Sequence, residues 1–309
     1  MARNPAESHA QPSTPAVSIG MPVYNGERHL RTALDSILAQ TLRNFELLIA
    51  DNASSDGTAE ICQEYARRDP RVRYFRHPTN IGAPRNYTYL VGPARGRYFK
   101  WASGNDICEP SMLETCVRVL DGDPSAVLCY GATRLIDDAD VAIEHYEKDL
   151  ALLEPRASER YRTLRQKLAL NNAQNGVIRL DALRHTRLIG TYAGSDLTMM
   201  ATLSLLGKFV LLPEVLFNRR MSEGAFSGRM SKTMLGEFLD PTSGSGARLD
   251  ALRSHFDHLL SIFGAPIGWR ERLPALATAL RHVIWNRHVV ARELLAWLGL
   301  RGRSTHNPH

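Results

Sequence analysis

Two stretches decide how this chain folds: Val17-Ser18-Ile19-Gly20-Met21-Pro22-Val23-Tyr24-Asn25-Gly26 and Leu47-Leu48-Ile49-Ala50-Asp51-Asn52-Ala53-Ser54-Ser55-Asp56-Gly57. Each is typical of an apolar strand that stops in a cluster of polar, turn-forming residues. The carboxyl ends of parallel strands lie at one edge of a sheet, and open α/β sheets bind ligands at that edge. We therefore expect a nucleotide site where these two clusters meet.

Strand and helix patterns alternate through the first half of the chain. Apolar residues after the first strand recur at helical spacing, at Leu30, Ala33, Leu34, Ile37 and Leu38. Further strands are predicted at residues 45–50, 72–76, 97–102 and 126–130, with helices at 58–67, 85–91 and 110–120. This alternation predicts an α/β fold with a mostly parallel, doubly wound sheet covered by helices on both faces.

The second half has a less regular pattern. Helices are predicted at residues 164–170, 180–187 and 196–206, and strands at 209–212 and 215–219. Residues 224–246 are rich in Gly and Ser, which predicts a flexible loop. A mainly helical region follows.

The composition is that of a soluble protein with a core, since 44% of the 309 residues are hydrophobic and 23% are charged. Residues 1–16 are expected to form a disordered tail and lack the apolar core of a signal peptide. The chain also lacks an uninterrupted run of about 20 apolar residues, the length that spans a bilayer. Cys62, Cys108, Cys116 and Cys129 have no CxxC spacing, so we expect reduced thiols and a cytoplasmic location.

Basic residues are concentrated near the end of the chain, and the formal net charge is +6. Seven arginines between positions 270 and 303 face only two glutamates and alternate with Trp, Leu, Ile and Val. Two interpretations are open: a basic amphipathic helix pair lying on an acidic membrane surface, or helices packed on their own domain with the arginines in solvent. Nucleic-acid binding is not expected, because no recognition motif accompanies the basic residues.

Five motifs in order resemble family 2 glycosyltransferases, whose fold is called GT-A. They are Pro22-Val23-Tyr24-Asn25, Asp51-Asn52-Ala53-Ser54-Ser55-Asp56-Gly57, Asn80-Ile81-Gly82, Asn86, and Gly96-Arg97-Tyr98-Phe99-Lys100-Trp101 running into Asn105-Asp106. The resemblance covers residues 17–138 most sharply and implies that they form the nucleotide-sugar-binding half. Residues 139–223 would then form the acceptor-binding half, and 247–309 a helical extension that contacts a membrane surface or another subunit.

The resemblance implies an inverting glycosyltransferase that moves a sugar from a nucleoside-diphosphate sugar, with UDP or dTDP favoured, to a hydroxyl of a glycan or lipid-linked acceptor. Asp51 resembles the acid that accepts a hydrogen bond from the base, and Tyr24 can stack on that base. The nucleoside would lie against Pro22 and Val23. The neighbouring Asn25, Asn52 and Arg85 are further candidates for contacts with the nucleotide. For Arg85 a surface salt bridge is an equal alternative. Asp56 is interpreted as the cap of the helix that follows it.

The metal motif departs from the usual family pattern, which has two or three acids, because this chain has Ser103-Gly104-Asn105-Asp106. Mg²⁺ or Mn²⁺ on phosphorylated substrates often takes only one or two protein carboxylates, so Asp106 alone could hold the metal. Asn105 would then contact the ribose or bind the metal through its carbonyl oxygen.

Asp196 is the candidate base, since it matches the position where the family has an acid acting on the acceptor. An aspartate at the start of a helix is also what capping alone would give. Arg219 and Arg220 match a basic cluster that can face the diphosphate, although the histidine that often follows in relatives is absent here. The polar run of Asn171, Asn172, Gln174 and Asn175 has two interpretations, a lining of the acceptor site and a solvated loop, and the solvated loop is favoured.

Two other functions are alternatives to a glycosyltransferase. A catalytically inactive nucleotide-sugar-binding protein on the same scaffold would fit the single carboxylate and the missing histidine. A nucleotidyltransferase would need a Gly-rich basic loop after the first strand, and residues 22–26 do not form one.

Overall fold

The computed structural model describes residues 14–221, 231–242 and 249–300, and within them nine strands form one sheet. The strands are β1 (Val17–Val23), β2 (Phe45–Asp51), β3 (Val72–Arg76), β4 (Tyr98–Trp101), β5 (Ile107–Cys108), β6 (Ala126–Ile136), β7 (Ala142–Tyr146), β8 (Val177–Arg179) and β9 (Lys208–Arg220). Their order is β3-β2-β1-β4-β8-β6-β9-β5, and β7 pairs with β6. β1 to β4, β6 and β9 run in one direction, while β5, β7 and β8 run in the other. The mostly parallel sheet is therefore confirmed.

The helices that surround the sheet are α1 (Glu27–Leu38), α2 (Thr58–Arg68), α3 (Ala83–Tyr89), α4 (Met112–Gly122), α5 (Ala157–Lys167), α6 (Leu180–Arg184), α7 (Ser195–Leu206), α8 (Lys232–Leu239), α9 (Asp250–Gly264), α10 (Trp269–Trp285) and α11 (Arg287–Trp297). A short 3₁₀ helix spans Asn172–Asn175.

Both faces of the sheet are covered because successive residues of β2 belong to different apolar layers. Leu47 and Ile49 join the layer that also holds buried residues of α1, α2 and α4. Leu48 and Ala50 join a second layer, to which α5, α7, α9 and α10 contribute. A strand buried on both faces reads as a continuous apolar run, which is the pattern of residues 47–50. The predicted doubly wound arrangement and the helical C-terminal region are confirmed.

β9 is one strand where the sequence predicts two. The ladder with β6 pairs Leu212 with Gly131 and Val215 with Ala132, so Pro213 and Glu214 bulge out between them. Proline has no N–H to donate, and a bulge is one of the few places in a sheet that tolerates it. The predicted break at Pro213 is therefore a bulge, and β9 continues to the two arginines at its carboxyl end.

The predicted flexible loop at residues 224–246 contains a helix, α8. The Ser231 side chain accepts a hydrogen bond from Met234 N and caps the helix at its start. Residues 222–230 and 243–248 of this region lie outside the described residues, as do residues 1–13 of the predicted tail. Ala16, the last residue of that tail, donates its N–H to Asn44 O at 2.9 Å.

A buried histidine joins the C-terminal helices to the second layer. His258 on α9 is 2% exposed, and its Nε2 accepts from Arg165 Nη1 at 2.9 Å. Its Nδ1 lies 3.3 Å from the hydroxyl of Tyr161. Burial lowers the pKa of His258 well below its usual value, and the charges of Arg165, His255 and His282 lower it further. The ring is therefore held neutral in the folded state.

We expect acid to weaken this attachment. The unfolded chain takes up a proton on His258 below about pH 6.5 and the folded chain does not, so stability present at pH 7.5 is lost as the pH falls through that value. Between pH 7.5 and 5.5 the loss from one such histidine is about 1.4 kcal/mol. Thermal unfolding at the two pH values measures it.

Two variants test the assignment to His258. H258Q should show a smaller fall in Tm between pH 7.5 and 5.5 than the unchanged protein. H288Q removes an exposed histidine from α11 and should keep the full fall. An equal fall in all three proteins would contradict a role for His258.

Candidate functional site

A polar cavity of about 200 Å³ opens near the carboxyl ends of β4 and β9. Its lining residues are Tyr87, Ser103, Asn105, Asp106, Asn171, Gln174, Asn175, Asp196, Arg219, Arg220 and Met221. The two acids of this set are the predicted metal ligand and the predicted base. Residues that are far apart in sequence therefore line one cavity.

Asp106 lines the cavity and is 8% exposed. Its Oδ1 accepts the backbone N–H of Arg220 at 2.8 Å. Burial raises the pKa of this carboxyl, while that N–H, the positive charge of Arg219 and a hydrogen bond from Ser103 oppose the rise. A cation bound beside Asp106 would favour its charged form in the same way.

Asp196 lies in the first turn of α7, and its Oδ2 accepts from Asn171 Nδ2 at 3.0 Å. The same amide of Asn171 donates to Gln174 Oε1 at 2.9 Å. The expectation of a solvated loop at residues 171–175 is wrong, because Asn171, Gln174 and Asn175 line the cavity. Side-chain amides can both donate hydrogen bonds to hydroxyl groups and accept hydrogen bonds from them.

Tyr87 is a cavity residue that the sequence analysis did not identify. Burial and the charges of Asp106 and Asp196 raise the pKa of its hydroxyl to about 12, so it stays a neutral donor. Nothing in the linear pattern marks it, since a tyrosine within a short helix is common in cores.

The two arginines at the end of β9 have different surroundings. Arg219 reaches the cavity, and its Nη1 donates to Asn172 Oδ1 at 2.6 Å. Asn172 in turn donates to Asp149 Oδ1 at 2.9 Å, and Asp149 Oδ2 accepts the backbone N–H of Thr133 at 2.8 Å. Asn172 and Asp149 therefore fix the position of the Arg219 side chain, which lines the cavity.

Arg220, by contrast, has a fully buried guanidinium that binds the protein itself. Nε donates to Asn105 O at 2.8 Å, Nη1 donates to Asp137 O and Nη2 pairs with Asp140 Oδ1. Each nitrogen has a protein partner and the side chain has no exposed surface, so in this structure the guanidinium is not presented to a diphosphate as predicted. Its role is to join the 105–106 turn to the turn between β6 and β7.

The turns after β1 and β2 are held together by hydrogen bonds between them. Asn25, at φ 46°, accepts from Ser55 N at 2.9 Å and donates its own N–H to Ser54 Oγ at 3.0 Å. Asp56 accepts the N–H groups of Glu27 and Thr58. It therefore binds the first residue of α2, although the N-cap position predicted for it is taken by Gly57. These contacts place the ends of β1 and β2 side by side, with Val23 opposite Asp51.

Tyr24 is 52% exposed, and Asn25 beside it is exposed as well, although the Asn25 side chain is bonded to the turn after β2. The Tyr24 ring is free to stack on a planar ligand. Pro22 and Val23 belong to β1 and are largely buried, so a ligand beside Tyr24 would contact their main chain or rim.

Asp51 is fully buried, and both carboxylate oxygens have protein partners. Oδ1 accepts Ser54 N at 2.8 Å, and Oδ2 accepts the hydroxyl of Tyr74 at 2.8 Å. Arg76 Nε lies 3.6 Å from Oδ2. Asp51 does not line the cavity. Each of its oxygens has one protein partner and keeps a further lone pair, but the side chain has no exposed surface, so its predicted contact with a base is closed in this structure.

Asn52 and Arg85 are also engaged within the chain. Asn52, 3% exposed, donates to Asn80 Oδ1 at 2.7 Å and accepts Ile81 N at 2.9 Å. Arg85 forms two hydrogen bonds with Asp240, just after α8, at 2.8 and 3.0 Å, and this pairing contributes to a pKa of about 2 for Asp240. Of the two interpretations of Arg85, the structure shows the salt bridge, which links α3 to the α8 segment.

The donor atoms around Asp106 fit a divalent cation that shares its shell with a substrate. Among the described residues no group of three or more His, Cys, Asp and Glu could hold a metal by itself. The cavity does offer a carboxylate from Asp106 and an amide oxygen from Asn105, which are the hard ligands that Mg²⁺ and Mn²⁺ prefer. Phosphate oxygens would have to complete the coordination.

Comparison with known families gives a direct assignment. The family model described as "Glycosyl transferase family 2" matches residues 18–187, more than half of the chain. The chain belongs to glycosyl transferase family 2. The resemblance carried by the five motifs is thereby confirmed, and the match runs on through β8 and α6.

Curated relatives of this family 2 chain are similar over its first half. A putative glycosyltransferase, EpsH of Bacillus subtilis, is 33% identical over 150 residues, which cover 44% of this chain and 43% of the relative. An uncharacterized glycosyltransferase of Rickettsia felis is 35% identical over 141 residues, which cover 45% of this chain and 23% of the relative. The matches span less than half the length of these relatives.

Solved structures of TarS from S. aureus have the same fold. TarS 1-349 in complex with UDP-GlcNAc gives a TM-score of 0.63 at 17% identity, covering 92% of this chain and 79% of that one. The complex of TarS 1-349 with UDP gives 0.61 at 15% identity, covering 88% and 73%. The family 2 chain therefore has the predicted GT-A type fold with its C-terminal helical region.

We expect Asp51 to act on stability rather than on ligand affinity alone. D51A would leave the buried N–H of Ser54 and the hydroxyl of Tyr74 without acceptors, and each such orphaned group costs about 1–3 kcal/mol. Urea unfolding should show this loss. D35A is a matched control, because Asp35 also accepts a tyrosine hydroxyl, that of Tyr65, but from an exposed position. Equal stability of D51A and the unchanged protein, with nucleotide binding lost, would restore the base-contacting role.

Proposed function

We propose that the protein is an inverting glycosyltransferase that moves a sugar from a nucleoside-diphosphate sugar to a hydroxyl of a glycan or lipid-linked acceptor. The observation that supports it most is that Asp106, Asp196 and Arg219 line one cavity. These groups supply what the reaction needs: charge compensation for a departing diphosphate and a base for the attacking hydroxyl.

The donor proposed here is a UDP-sugar, with dTDP as the close alternative. TarS, which shares the fold, has been solved with UDP and with UDP-GlcNAc. In this chain the exposed ring of Tyr24 would stack on the base at the ends of β1 and β2, and Asn105 would contact the ribose or phosphates. Residues 17–138 form the donor half in this proposal. Asp51 supports the site by fixing the turn that follows β2.

The diphosphate would lie between Arg219 and Asp106. Arg219 presents a guanidinium whose position is fixed by Asn172, so it would bind phosphate oxygens without prior rearrangement. Asp106, with Asn105 beside it, would hold Mn²⁺ or Mg²⁺. A divalent cation there supplies Lewis-acid stabilisation of the charge that builds on the leaving diphosphate.

Asp196 is the proposed base. Its carboxylate would take the proton of the acceptor hydroxyl while that oxygen bonds to the anomeric carbon and the bond from that carbon to the diphosphate breaks. Attack from the face opposite the leaving group inverts the anomeric configuration. Asn171 holds the carboxylate by one oxygen, and the other remains for the acceptor.

The acceptor half is proposed to span residues 139–223. Asn171, Gln174 and Asn175 give the cavity both donors and acceptors on the side of Asp196, which suits a sugar hydroxyl. A lipid-linked acceptor would require the chain to work at a membrane, on its cytoplasmic face.

We predict that D196N removes turnover and leaves donor binding intact. Losing a general base reduces kcat by about 10²- to 10⁴-fold, whereas the amide keeps the shape of the cavity. Transfer or donor hydrolysis, measured beside UDP affinity by calorimetry, separates the two effects. D181N is the matched control, since Asp181 is an exposed aspartate in the first turn of α6. Full activity in D196N would exclude Asp196 as the base, and UDP-sugar binding without any turnover in the unchanged protein would favour a binding protein.

We also predict that Mn²⁺ and UDP stabilise the protein together through Asp106. A ligand at 100 times its Kd raises stability by about 2.7 kcal/mol, so a thermal-shift assay detects it. The rise with UDP and Mn²⁺ should exceed that with UDP alone, and D106N should remove the increment due to Mn²⁺. D181N should retain it. No increment in the unchanged protein would rule out the metal assigned here.

A further inference from the structure

Helix α10 has two apolar faces, and only one of them is covered. Ala275, Thr278 and Ala279 are buried against the second layer of the core. The exposed residues Trp269, Leu273, Leu280 and Ile284 follow one another at spacings of four, seven and four residues. Those spacings return to one side of a helix, so the four side chains form a continuous apolar stripe facing away from the core.

The position of this stripe is fixed by contacts elsewhere on α10. Glu271 accepts from Ser158 N and Ser158 Oγ at 2.9 and 2.7 Å, and it also pairs with Arg156 at 3.0 Å. Arg272 donates to Ala265 O at 2.9 Å, at the end of α9. The helix is therefore anchored through its buried face. Covering the stripe would not require the helix to leave that position.

Helix α11 continues the exposed apolar surface. It has no buried residue, although seven of its eleven side chains are apolar. Trp297 and Leu298 are each close to 60% exposed, and Trp285 at the end of α10 is similar. Three of the four tryptophans of the chain thus lie exposed on these two helices, while the fourth, Trp101, is buried in the sheet.

The charges beside this surface are almost all positive. Arg270 and Arg281 flank the stripe on α10, and Arg292 lies on α11. None of the three is paired with a carboxylate within the part of the chain that the structure describes. The two glutamates of these helices bind other parts of the protein. Glu271 pairs with Ser158 and Arg156, as described above. The carboxylate of Glu293 accepts the N–H of Ala251 at 3.0 Å.

We propose that α10 and α11 form a docking surface for an anionic lipid bilayer. Exposed tryptophans among leucines, with unpaired arginines beside them, match a membrane interface, where aromatic rings lie at headgroup depth and cations meet anionic lipid. A second copy of this chain fits less well, because pairing the same surfaces would bring arginines together without acids to oppose them. The contact is peripheral, as none of the described helices is long and apolar enough to cross a bilayer.

Vesicle co-sedimentation tests the proposal without requiring enzyme activity, so its result does not depend on the proposed reaction. In about 0.1 M NaCl, the full chain should bind phosphatidylcholine vesicles that contain about 30 mol% phosphatidylglycerol roughly ten times more tightly than vesicles of pure phosphatidylcholine, because anionic lipid attracts the unpaired arginines. R270E/R281E should lose this preference. L273S/I284S should reduce binding to both compositions at least ten-fold.

Matched controls carry the same chemical changes elsewhere. R67E/R118E reverses two exposed arginines on α2 and α4, and V141S/I143S removes two exposed apolar side chains at β7. Both should bind like the unchanged protein. Equal loss in the arginine controls would reduce the effect to net charge and overturn the proposal. So would unchanged binding in the stripe variants, or a dimer in light scattering that L273S/I284S converts to a monomer.

Discussion

The site depends on one buried cation. Arg220 has its guanidinium out of water, and a charge in that position is tolerated only if its hydrogen bonds are satisfied. Its partners come from the 105–106 turn and from Asp137 and Asp140. Its backbone N–H holds Asp106 as well. The carboxyl end of β9, the metal-motif turn and the β6–β7 turn are thereby fixed relative to one another, and Arg219, one residue earlier, is directed into the cavity.

The family motifs are explained here mainly by their contacts with one another. Asn25 joins the turns after β1 and β2, Asn52 joins Asn80, and Asn86 donates to Ala50 O at 2.9 Å. Short polar side chains can satisfy backbone groups where strands end and no ladder continues. A ligand edge on a parallel sheet therefore needs such residues even before any ligand binds. This is why the motifs indicate the fold so well and the individual ligand contacts less well.

The sequence was sufficient for β1 to β4, β6 and the helices between them because burial on both faces produces continuous apolar runs, as at residues 47–50. It did not predict the short antiparallel strands β5, β7 and β8. The motifs also assigned one site to Asp106, Asp196, Asn105 and Arg219, and all four line the cavity. The partners of the other candidates could not be read from the sequence. Tyr74 lies 23 positions from Asp51, and Asp240 lies 155 positions from Arg85. Only the folded chain shows that these side chains already have partners, and likewise which apolar face of α10 is covered.

The charges in the cavity constrain what it can bind. Burial disfavours the anionic form of Asp106, and the charges of Arg219 and Lys100 oppose that effect. The Lys100 ammonium is bonded to main-chain oxygens and the Arg220 guanidinium binds the protein itself, so of these three cations Arg219 is the one whose side chain is left for the cavity. A diphosphate would add further negative charge to this space, with the Tyr87 hydroxyl remaining a neutral donor beside it. In a poorly solvated site such repulsion is large unless a cation accompanies the ligand. The same reasoning accounts for a single metal-motif carboxylate: phosphate oxygens would supply the remaining ligands, so cation and diphosphate would bind together more readily than either alone.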